Sequence, residues 1–501
     1  MAIKIAIVGG GVGGLALAQK LKKTGVLFDV YERDASPDDR LQGYRVHLSP
    51  EADRALAECL PTELYDLFIK TSGLVERKQG LLFLNTHLDE LMAIPSKQIN
   101  LGRSASRVIL RKILLSGLEE NVHFNKKFTR YETLPNKQVR LFFSDGTSTT
   151  ADVLVGADGI YSRIRNQLLP NHRVIDTNVF AIVGKSKLSD ILPLPQSLSA
   201  LGLANILAQG SSMFISTMRY SDEARDYLGY DGESNSLDME EGTDYIYWAF
   251  RTEKSKYGVE GDLNELSGEA KLELVLKMIK GWDPFLIKLV QSSEPSSCFA
   301  RHLQTSRKPS PWPTQITTLL GDAIHPMPPS AGIGASTALI DADHLGRQLK
   351  AASDGEKNLI DAINSYEMQM LDYGFSAVGL SDRNLKCMSL ENPVAFVALK
   401  TLLKTINLFI QLRHNPSSLL EISTTQCIFY SLLILTSSTK MAVDYYSEED
   451  GNSASLLSQC ASYTFFGSSC LLGAGAIKTF FNREKQPDDV NEDDQPKLKI
   501  A

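Results

Sequence analysis

The amino-acid sequence predicts an α/β protein in which a parallel-sheet domain is interrupted by a mostly antiparallel one. Near the N-terminus, a short apolar run, a glycine-rich turn and a helical pattern follow one another. From about residue 175 to 305, short β-type runs alternate with loops. Residues 317–349 return to a strand, a glycine corner and a long helix. We therefore expect the chain to re-enter its first domain there.

The first turn lies in "IVGGGVGGLALAQKL", residues 7–21, where Gly9, Gly11 and Gly14 fit the pattern G-x-G-x-x-G. A helix that follows such a turn presents free N–H groups and a partial positive charge to a pyrophosphate. Gly9 permits the tight turn, Gly11 lets the backbone approach the pyrophosphate, and Gly14 lets the helix pack closely on the strand. The stretch therefore predicts a Rossmann-like dinucleotide-binding domain.

A second predicted strand, residues 28–32, ends in Glu32. An acidic residue about twenty positions past the glycines is the expected acceptor for ribose hydroxyl groups. Because a carboxylate suits an unphosphorylated ribose, the sequence favours FAD or NAD over NADP at this site.

Composition excludes some classes of function. The 501 residues carry a formal net charge of −7, and no stripe of Lys and Arg stands out, which argues against a nucleic-acid partner. The six cysteines are scattered without a C-x-x-C pair. We therefore expect reduced thiols, no metal site and a cytoplasmic setting.

Changes in composition and in the apolar pattern along the chain predict five regions. They are the first part of the nucleotide-binding domain at 1–174, a substrate-binding β-sheet domain at 175–305, the second part of the nucleotide-binding domain at 306–390, an apolar helical region at 391–482 and a polar tail, predicted to be disordered, at 483–501.

Three stretches together resemble the class A flavoprotein monooxygenases, the aromatic-hydroxylase type with one FAD-binding domain. They are the glycine motif with Glu32, "DVLVGADGIYSRIR" at 152–165 and "GDAIHPMPPSAGIGASTALIDA" at 321–342. The resemblance covers about residues 3–385. One departure is Ser336, where many members of the family carry Asn.

The resemblance implies roles for residues along the nucleotide. Glu32 would accept hydrogen bonds from the adenosine ribose. Arg107 matches the family arginine that lies along the pyrophosphate and ribityl chain, with Arg103 and Arg111 as nearby alternatives. Asp158 would lie near the pyrophosphate and near the path of the nicotinamide.

The resemblance also implies contacts around the flavin. Asp322 would bind a ribityl hydroxyl, because an ionised carboxylate only accepts hydrogen bonds. Gly334 and Ala335 would place a helix N-terminus under the pyrimidine edge of the flavin, where partial positive charge stabilises the anionic reduced form. Gly43 and Arg45, in "GYRVHL", match the family strand beside the isoalloxazine and are predicted FAD contacts.

Substrate contacts are harder to predict. His47 could face the substrate from the same strand as Arg45. Trp248, with Tyr245 and Tyr247, could line the pocket, although aromatic residues in a sheet are more often core. For His325, ordering of the surrounding loop is favoured over general-base catalysis. No catalytic base is assigned.

The resemblance implies an oxidoreductase that binds FAD non-covalently and uses NADPH or NADH, and O2, to hydroxylate an activated aromatic or polyketide-like small molecule through a flavin hydroperoxide. A role in secondary metabolism follows by analogy. Epoxidation or Baeyer–Villiger oxygenation of a lipophilic terpenoid is an alternative. Another is a non-catalytic relative that keeps the fold as a binding module. The oligomeric state stays open.

The C-terminal region contains two uncharged runs, residues 422–439 and 451–477, separated by an acidic stretch. Basic residues flank the pair on its outer sides, as the positive-inside rule predicts for a hairpin of two membrane spans. Both runs are rich in Ser and Thr, and 394–412 forms an amphipathic pattern that they could cover. Membrane association through 422–477 and helical packing on the enzyme or a dimer partner are both consistent with the sequence.

Overall fold

The computed structural model describes residues 3–37, 39, 45–73, 80–95, 102–198, 203–228 and 242–414. Gly43, the runs at 422–477 and the tail at 483–501 lie outside the described residues. The chain up to His414 is one compact unit.

The helices of the described residues are α1 Val12–Thr24, α2 Pro50–Cys59, α3 Thr62–Thr71, α4 Arg107–Leu115, α5 Arg163–Leu168, α6 Leu188–Ile191, α7 Asp222–Leu228, α8 Gly268–Met278, α9 Pro284–Gln291, α10 Gly334–Ser353, α11 Leu359–Met388 and α12 Pro393–His414.

The strands are β1 Lys4–Val8, β2 Leu27–Tyr31, β3 Arg45–Leu48, β4 Leu81–Asn85, β5 Glu90–Ile94, β6 Arg103–Ser106, β7 Val122–His123, β8 Phe128–Thr133, β9 Val139–Phe143, β10 Ser148–Ala151, β11 Val153–Gly156, β12 Val174–Lys187, β13 Leu203–Ala208, β14 Ser211–Met218, β15 Tyr245–Glu253, β16 Phe299–Ser306 and β17 Thr317–Leu319.

A five-stranded sheet in the order β17-β11-β1-β2-β7 forms the centre of the first domain. All its neighbouring strands run parallel. Strands such as β11 are buried along their whole length, as expected for a parallel sheet covered on both faces. The predicted return of the chain to this domain is confirmed, because β17 pairs with β11 and α10 packs against α1.

A second sheet has seven strands in the order β16-β12-β15-β14-β13-β4-β5. Its pairs are antiparallel except β13 with β4. The predicted antiparallel sheet is therefore present, but β4 and β5 join it from residues 81–94, within the range predicted for the first part of the nucleotide-binding domain. The sequence of a short apolar run does not show which distant strand it pairs with, so this pairing was not predictable from local patterns.

Two smaller sheets complete the described fold. Strands β8, β9 and β10 form a three-stranded sheet, with a turn at Asp145 and Gly146 between β9 and β10. Strands β3 and β6 form a two-stranded antiparallel ribbon.

Helix α12 covers the edge strand β5, and the predicted helical pattern at 394–412 is confirmed. Phe396 and Leu403 belong to one buried cluster with Leu91 and Met92. The Asn407 side chain accepts the Ala93 N–H at 3.0 Å, which satisfies a donor of the exposed sheet edge. Among the helices of the described residues, none combines the length and apolarity that a membrane crossing requires.

Candidate active site

Four of the predicted site positions follow four neighbouring parallel strands. Asp322 lies just past β17, Asp158 past β11, Gly9 past β1 and Glu32 past β2. The carboxyl ends of parallel strands share one edge of the sheet, where ligands of such folds bind. With about 4.8 Å between strands, the four positions extend over roughly 14 Å, a span suited to an extended dinucleotide.

The glycine turn has the close contacts that its sequence predicts. A Cβ atom added to Gly9 would lie 2.2 Å from the Ala157 carbonyl oxygen, and one added to Gly14 would lie 2.1 Å from the Gly9 carbonyl oxygen. By contrast, a Cβ at Gly11 would meet nothing within 4 Å. The N-cap residue of α1 is Gly11, which has no side chain that could cap the helix. The turn is therefore closed toward the sheet and open where an anion would approach the helix.

Glu32 is buried beside this turn. Its carboxylate accepts the Gly10 N–H at 2.5 Å and the Asp34 N–H at 3.0 Å. A carboxylate offers about four acceptor positions, so these two backbone bonds leave capacity for ribose hydroxyls. The bonds also hold Glu32 at the end of β2 next to the turn.

The three arginines proposed for the pyrophosphate occupy different surroundings. Arg111 is buried, and its Nε donates to the Gly10 carbonyl at 3.3 Å. Arg103 instead pairs with Asp53, with Nε and Oδ2 2.9 Å apart. Arg107 is the first residue of α4 and is partly buried. The structure thus brings Arg111 to the glycine turn, and the predicted role of Arg107 stays a prediction.

Asp158 stabilises the start of α5. Its Oδ2 accepts the Arg163 N–H at 2.8 Å, while its Oδ1 is buried without a hydrogen-bond partner. Burial raises the pKa of the Asp158 carboxyl, and hydrogen bonds from Ser162 and Arg163 oppose this shift. An unpaired buried acceptor at the ligand edge of the sheet has room for a donor from a bound molecule.

Asp322 is exposed in a short turn after β17, and the neighbouring His325 is fully buried. His325 Nε2 lies 2.8 Å from Asp341 Oδ2, which also accepts the Gly321 N–H at 2.7 Å. Tyr373 of α11 donates to the other Asp341 oxygen at 2.6 Å. His325 therefore contacts the carboxylate that holds the Asp322 turn, and this geometry supports the interpretation that it orders the loop.

Gly334 and Ala335 begin α10, and no side chain caps this N-terminus. Ser336, the departure from the family residue, connects α10 to β3. Its Oγ accepts the Ser49 N–H at 3.0 Å and donates to the His47 carbonyl at 3.2 Å. The hydroxyl thereby links the start of α10 to the strand that carries Arg45 and His47.

Arg45 and His47 share one face of the ribbon, because residues two apart in a strand point the same way. The Arg45 Nη2 group donates to Ser104 Oγ of β6, and its Nε is buried without a partner. Burial lowers the pKa of Arg45 to about 10, and nearby Tyr245 opposes this shift. Burial, with the charge of Arg45, also lowers the pKa of His47 to about 4. His47 is therefore a neutral imidazole at neutral pH.

The predicted pocket role of Trp248 is wrong. Trp248 is fully buried and donates from Nε1 to Ser293 Oγ at 2.7 Å. It lies in the core with Ile246 and Phe250, on the face of β15 that packs with α8 and α9 side chains. Since side chains alternate along a strand, Tyr245 and its alternate neighbours occupy the other face.

Two residues of this region were not predicted from the sequence as participants. Asp341 and Tyr373 hold the Asp322 turn, but neither lies beside that turn in the chain. The stretch "LIDADHL" at 339–345 indicates only a buried helix face, so its acidic residues gave no sign of a tertiary partner. Among the described residues, no group of three or more His, Cys, Asp or Glu side chains could hold a metal ion.

The residues at this edge fit FAD. The N-terminus of α1, the buried carboxylate of Glu32 and the exposed carboxylate of Asp322 all lie at this edge. Helix α10 begins after the Asp322 turn. Two family models match the same parts of the chain: an NAD(P)-binding Rossmann-like domain at residues 7–52 and an FAD binding domain at residues 305–374.

The curated relatives of the chain include the following two proteins. A dual O-methyltransferase/FAD-dependent monooxygenase of Phaeosphaeria nodorum is 30% identical over 397 residues, covering 72% of this chain and 42% of that protein. The chloroplastic zeaxanthin epoxidase of Prunus armeniaca is 24% identical over 360 residues, covering 70% of this chain and 49% of that protein. The chain thus spans less than half the length of either relative.

A solved structure matches the chain over its own full length. The crystal structure of a candidate FAD-containing monooxygenase from Photorhabdus luminescens superposes with a TM-score of 0.67. The two sequences are 32% identical, and the match covers 78% of this chain and 100% of that one. Together with the two motif-bearing domains, this match shows that the chain belongs to the FAD-dependent monooxygenases.

Proposed function

We propose that this chain uses NAD(P)H and O2 to hydroxylate an activated aromatic or polyketide-like small molecule in secondary metabolism, with non-covalent FAD as its cofactor. The observation that carries the proposal is the edge of the parallel sheet at which Gly9, Glu32, Asp158 and Asp322 follow adjacent strands. The family match supports the class of reaction, and the substrate is inferred by analogy.

The chain's own residues would hold FAD along this edge. The N-terminus of α1 would bind the pyrophosphate, and Glu32 would accept hydrogen bonds from the ribose. Asp322 would accept a ribityl hydroxyl, and the N-terminus of α10 would place partial positive charge near the pyrimidine ring. When bound, the flavin supplies the electron transfer to O2 that protein side chains cannot perform.

The nicotinamide nucleotide would bind transiently. A second G-x-G-x-x-G motif is not found in the 501 residues, since "LLGAGA" at 471–476 lacks the third glycine. We therefore infer that NAD(P)H would bind only transiently, without a nucleotide-binding motif of its own, and would supply the electrons for the reaction. NADPH is favoured over NADH by analogy with the family.

His47 and Arg45 are suited to the substrate side of the flavin. Both are only partly buried, and His47 Nδ1 has no hydrogen-bond partner. A neutral imidazole can accept a hydrogen bond or a proton from a phenolic hydroxyl. The adjacent guanidinium favours the phenolate form of the ring, which is the more electron-rich one.

Epoxidation is the second candidate, and the similarity to zeaxanthin epoxidase favours it. A lipophilic alkene would need no phenolate, so Arg45 and His47 would then contribute only to FAD binding or to the shape of the pocket. The two candidates therefore differ in the substrates that stimulate NAD(P)H oxidation.

The test is a screen of phenolic, polyketide and terpenoid compounds for substrate-stimulated NAD(P)H oxidation, followed by mass spectrometry of the products. Hydroxylation predicts stimulation by phenolic or polyketide compounds and a hydroxylated product. Stimulation by terpenoids alone, with an epoxide or a lactone as product, would support the alternative chemistry. A protein that binds no added FAD and shows no stimulation would be a non-catalytic relative.

A further inference from the structure

We propose that Tyr373 and Gly374 of α11 are positioning residues for FAD. They act through Asp341 and His325, which fix the turn that carries Asp322. This inference rests on the proposed function, because it concerns the predicted hydrogen bond between Asp322 and FAD.

Gly321, the residue before Asp322, is held by hydrogen bonds on both of its backbone polar groups. Its φ angle is +61°, in the left-handed region that glycine adopts most readily. Its N–H donates to Asp341 Oδ2 at 2.7 Å, and its carbonyl accepts the His325 N–H at 3.0 Å. The direction of the Asp322 side chain therefore depends on where the Asp341 carboxylate lies.

The Asp341 carboxylate is itself held from two sides. It is fully buried on α10, and His325 Nε2 lies 2.8 Å from its Oδ2. The Tyr373 hydroxyl donates to the other oxygen, Oδ1, at 2.6 Å. Burial and the charge of Asp341 raise the pKa of Tyr373, so the hydroxyl keeps its proton and stays a donor at neutral pH. Removal of this hydroxyl would take a donor away from a buried carboxylate oxygen, which favours movement of the carboxylate.

Gly374 lets α11 approach the imidazole of His325. A Cβ atom added to Gly374 would lie 2.7 Å from His325 Cδ2 and 3.3 Å from Nε2, the atom next to Asp341. Gly374 is buried in the middle of a 30-residue helix, where glycine is less favourable than alanine. The close contact gives a physical reason for glycine at this position. By contrast, a Cβ at Gly379 of the same helix would lie 3.5 Å from Arg383 Nη1, an ordinary contact.

Other hydrogen bonds hold the turn independently of these two positions. The Tyr366 hydroxyl donates to the Leu319 carbonyl at 2.9 Å, and Arg165 Nη1 donates to the Ala323 carbonyl at 3.1 Å. Because neither bond involves the proposed positioning residues, their replacement should move the turn locally rather than unfold it.

The test is a double-mutant cycle on FAD affinity. The full-length protein, freed of FAD, is titrated with FAD, and flavin fluorescence is followed. Tyr373→Phe should raise the dissociation constant of FAD about threefold to tenfold, as for the loss of one hydrogen bond. If Tyr373 acts through Asp322, adding Tyr373→Phe to Asp322→Ala should change the dissociation constant by less than about twofold. A purely structural effect of Tyr373 would instead multiply with the effect of Asp322→Ala.

A matched pair of variants on α11 tests the close contact. Gly374→Ala should raise the dissociation constant of FAD about tenfold, as is typical of overpacking, whereas Gly379→Ala should stay within about twofold of the wild type. Since alanine favours a helix, Gly379→Ala should melt at or above the wild-type temperature. Tyr257→Phe, which removes a buried hydroxyl that donates to the Phe180 carbonyl at 3.3 Å, is the control for Tyr373→Phe.

The outcomes that would overturn the inference are specific. They are an FAD affinity unchanged by Tyr373→Phe or by a folded Gly374→Ala, or an effect of Tyr373→Phe that persists in full beside Asp322→Ala. If Gly374→Ala fails to fold, Tyr373→Phe and the cycle carry the test. An FAD affinity unchanged by Asp322→Ala would overturn both the inference and the predicted role of Asp322.

These outcomes are distinguishable from failure of the proposed function. A protein that shows the coupling but oxygenates no compound of the screen would support the positioning role and overturn the proposed hydroxylation. A protein that oxygenates a compound, yet loses no FAD affinity in Tyr373→Phe, would overturn only the positioning role.

Discussion

The carboxylates at the carboxyl-terminal edge of the parallel sheet differ in how many hydrogen bonds they accept from the protein itself. Glu32 accepts two backbone N–H groups, and Asp158 accepts the N–H of Arg163. The Asp322 side chain is exposed in its turn, which is itself held by the buried Asp341. We therefore expect Asp322 to depend most on the ligand for its hydrogen bonds and to contribute directly to FAD affinity.

Replacing Asp322 with Ala should weaken FAD retention. Loss of a hydrogen bond to a charged group is worth about 1.5–3 kcal/mol, so the dissociation constant should rise roughly tenfold to a hundredfold. Titration of the FAD-free protein with FAD, followed by quenching of flavin fluorescence, measures this change. Asp226→Ala, an exposed aspartate in α7, is the matched control. An FAD affinity unchanged by Asp322→Ala would remove Asp322 from the site.

At the scale of elements, the buried contacts of Asp341 connect three parts of the fold. The carboxylate on α10 contacts the Gly321 N–H, the His325 imidazole and the hydroxyl of Tyr373 on α11. Burial of His325 opposes its charged form, but the charge of Asp341 and their hydrogen bond outweigh burial and raise the pKa of His325. Asp322, further along the same turn, adds to this effect.

This shift predicts a pH-dependent stability. A histidine whose pKa is raised on folding stabilises the native state fully below its unfolded value of about 6.5, and the contribution disappears as pH rises through the folded pKa. The difference in free energy of unfolding between wild type and His325→Gln should therefore be larger near about pH 6 than near about pH 9. Urea denaturation at the two pH values measures it.

His344, on α10, provides the control for this prediction. Burial lowers the pKa of His344, so the effect of replacing it should change with pH in the opposite direction. A difference between wild type and His325→Gln that is the same at both pH values would show that the His325–Asp341 contact is not a charged pair in the folded protein.

Elements with local signals were predictable from the sequence, and those decided by distant contacts were not. Strand β1, the glycine turn and α1 follow from a short apolar run, a motif and a helical period. The partners of β4 are distant in the chain and have no local signature. Trp248 was grouped with Tyr245 and Tyr247 as a possible pocket residue, because the sequence did not show which face of the strand lies in the core.

The candidate site also contains some residues that local motifs indicate and others that only tertiary contacts reveal. The motif residues around Gly9 and Asp322 were found because their spacing reflects backbone geometry at strand ends. Asp341 was missed, because a buried charge in a helix is recognisable as part of a site only when its tertiary neighbours are known.

At the scale of the whole molecule, the ligand edge and the face of the seven-stranded sheet belong to one compact unit ending at His414. Helix α11 connects them: Tyr373 contacts Asp341, and Leu385 covers the sheet face. These two positions are twelve residues apart, which corresponds to about 18 Å of helix. Helix α11 therefore contacts both the carboxylate that holds the Asp322 turn and the seven-stranded sheet.

The chain beyond α12 contains the two uncharged runs in 422–477, and their role stays a prediction. We expect helical packing on the enzyme, because both runs are rich in Ser and Thr, so the full chain should stay in the soluble fraction of cells. Fractionation of cells expressing the full chain, beside a version that ends after residue 415, measures this. Pelleting of the full chain alone, resistant to carbonate, would establish a membrane hairpin instead.

The most direct test of the central claim follows the oxygen atom. Phenolic and polyketide compounds that stimulate NAD(P)H oxidation are incubated with the FAD-loaded protein under ¹⁸O₂, and each product is weighed by mass spectrometry. The account predicts a hydroxylated product that carries one labelled oxygen, formed with consumption of NAD(P)H. A product whose new oxygen comes from labelled water instead, or NAD(P)H oxidation that never yields an oxygenated product with any compound, would contradict it.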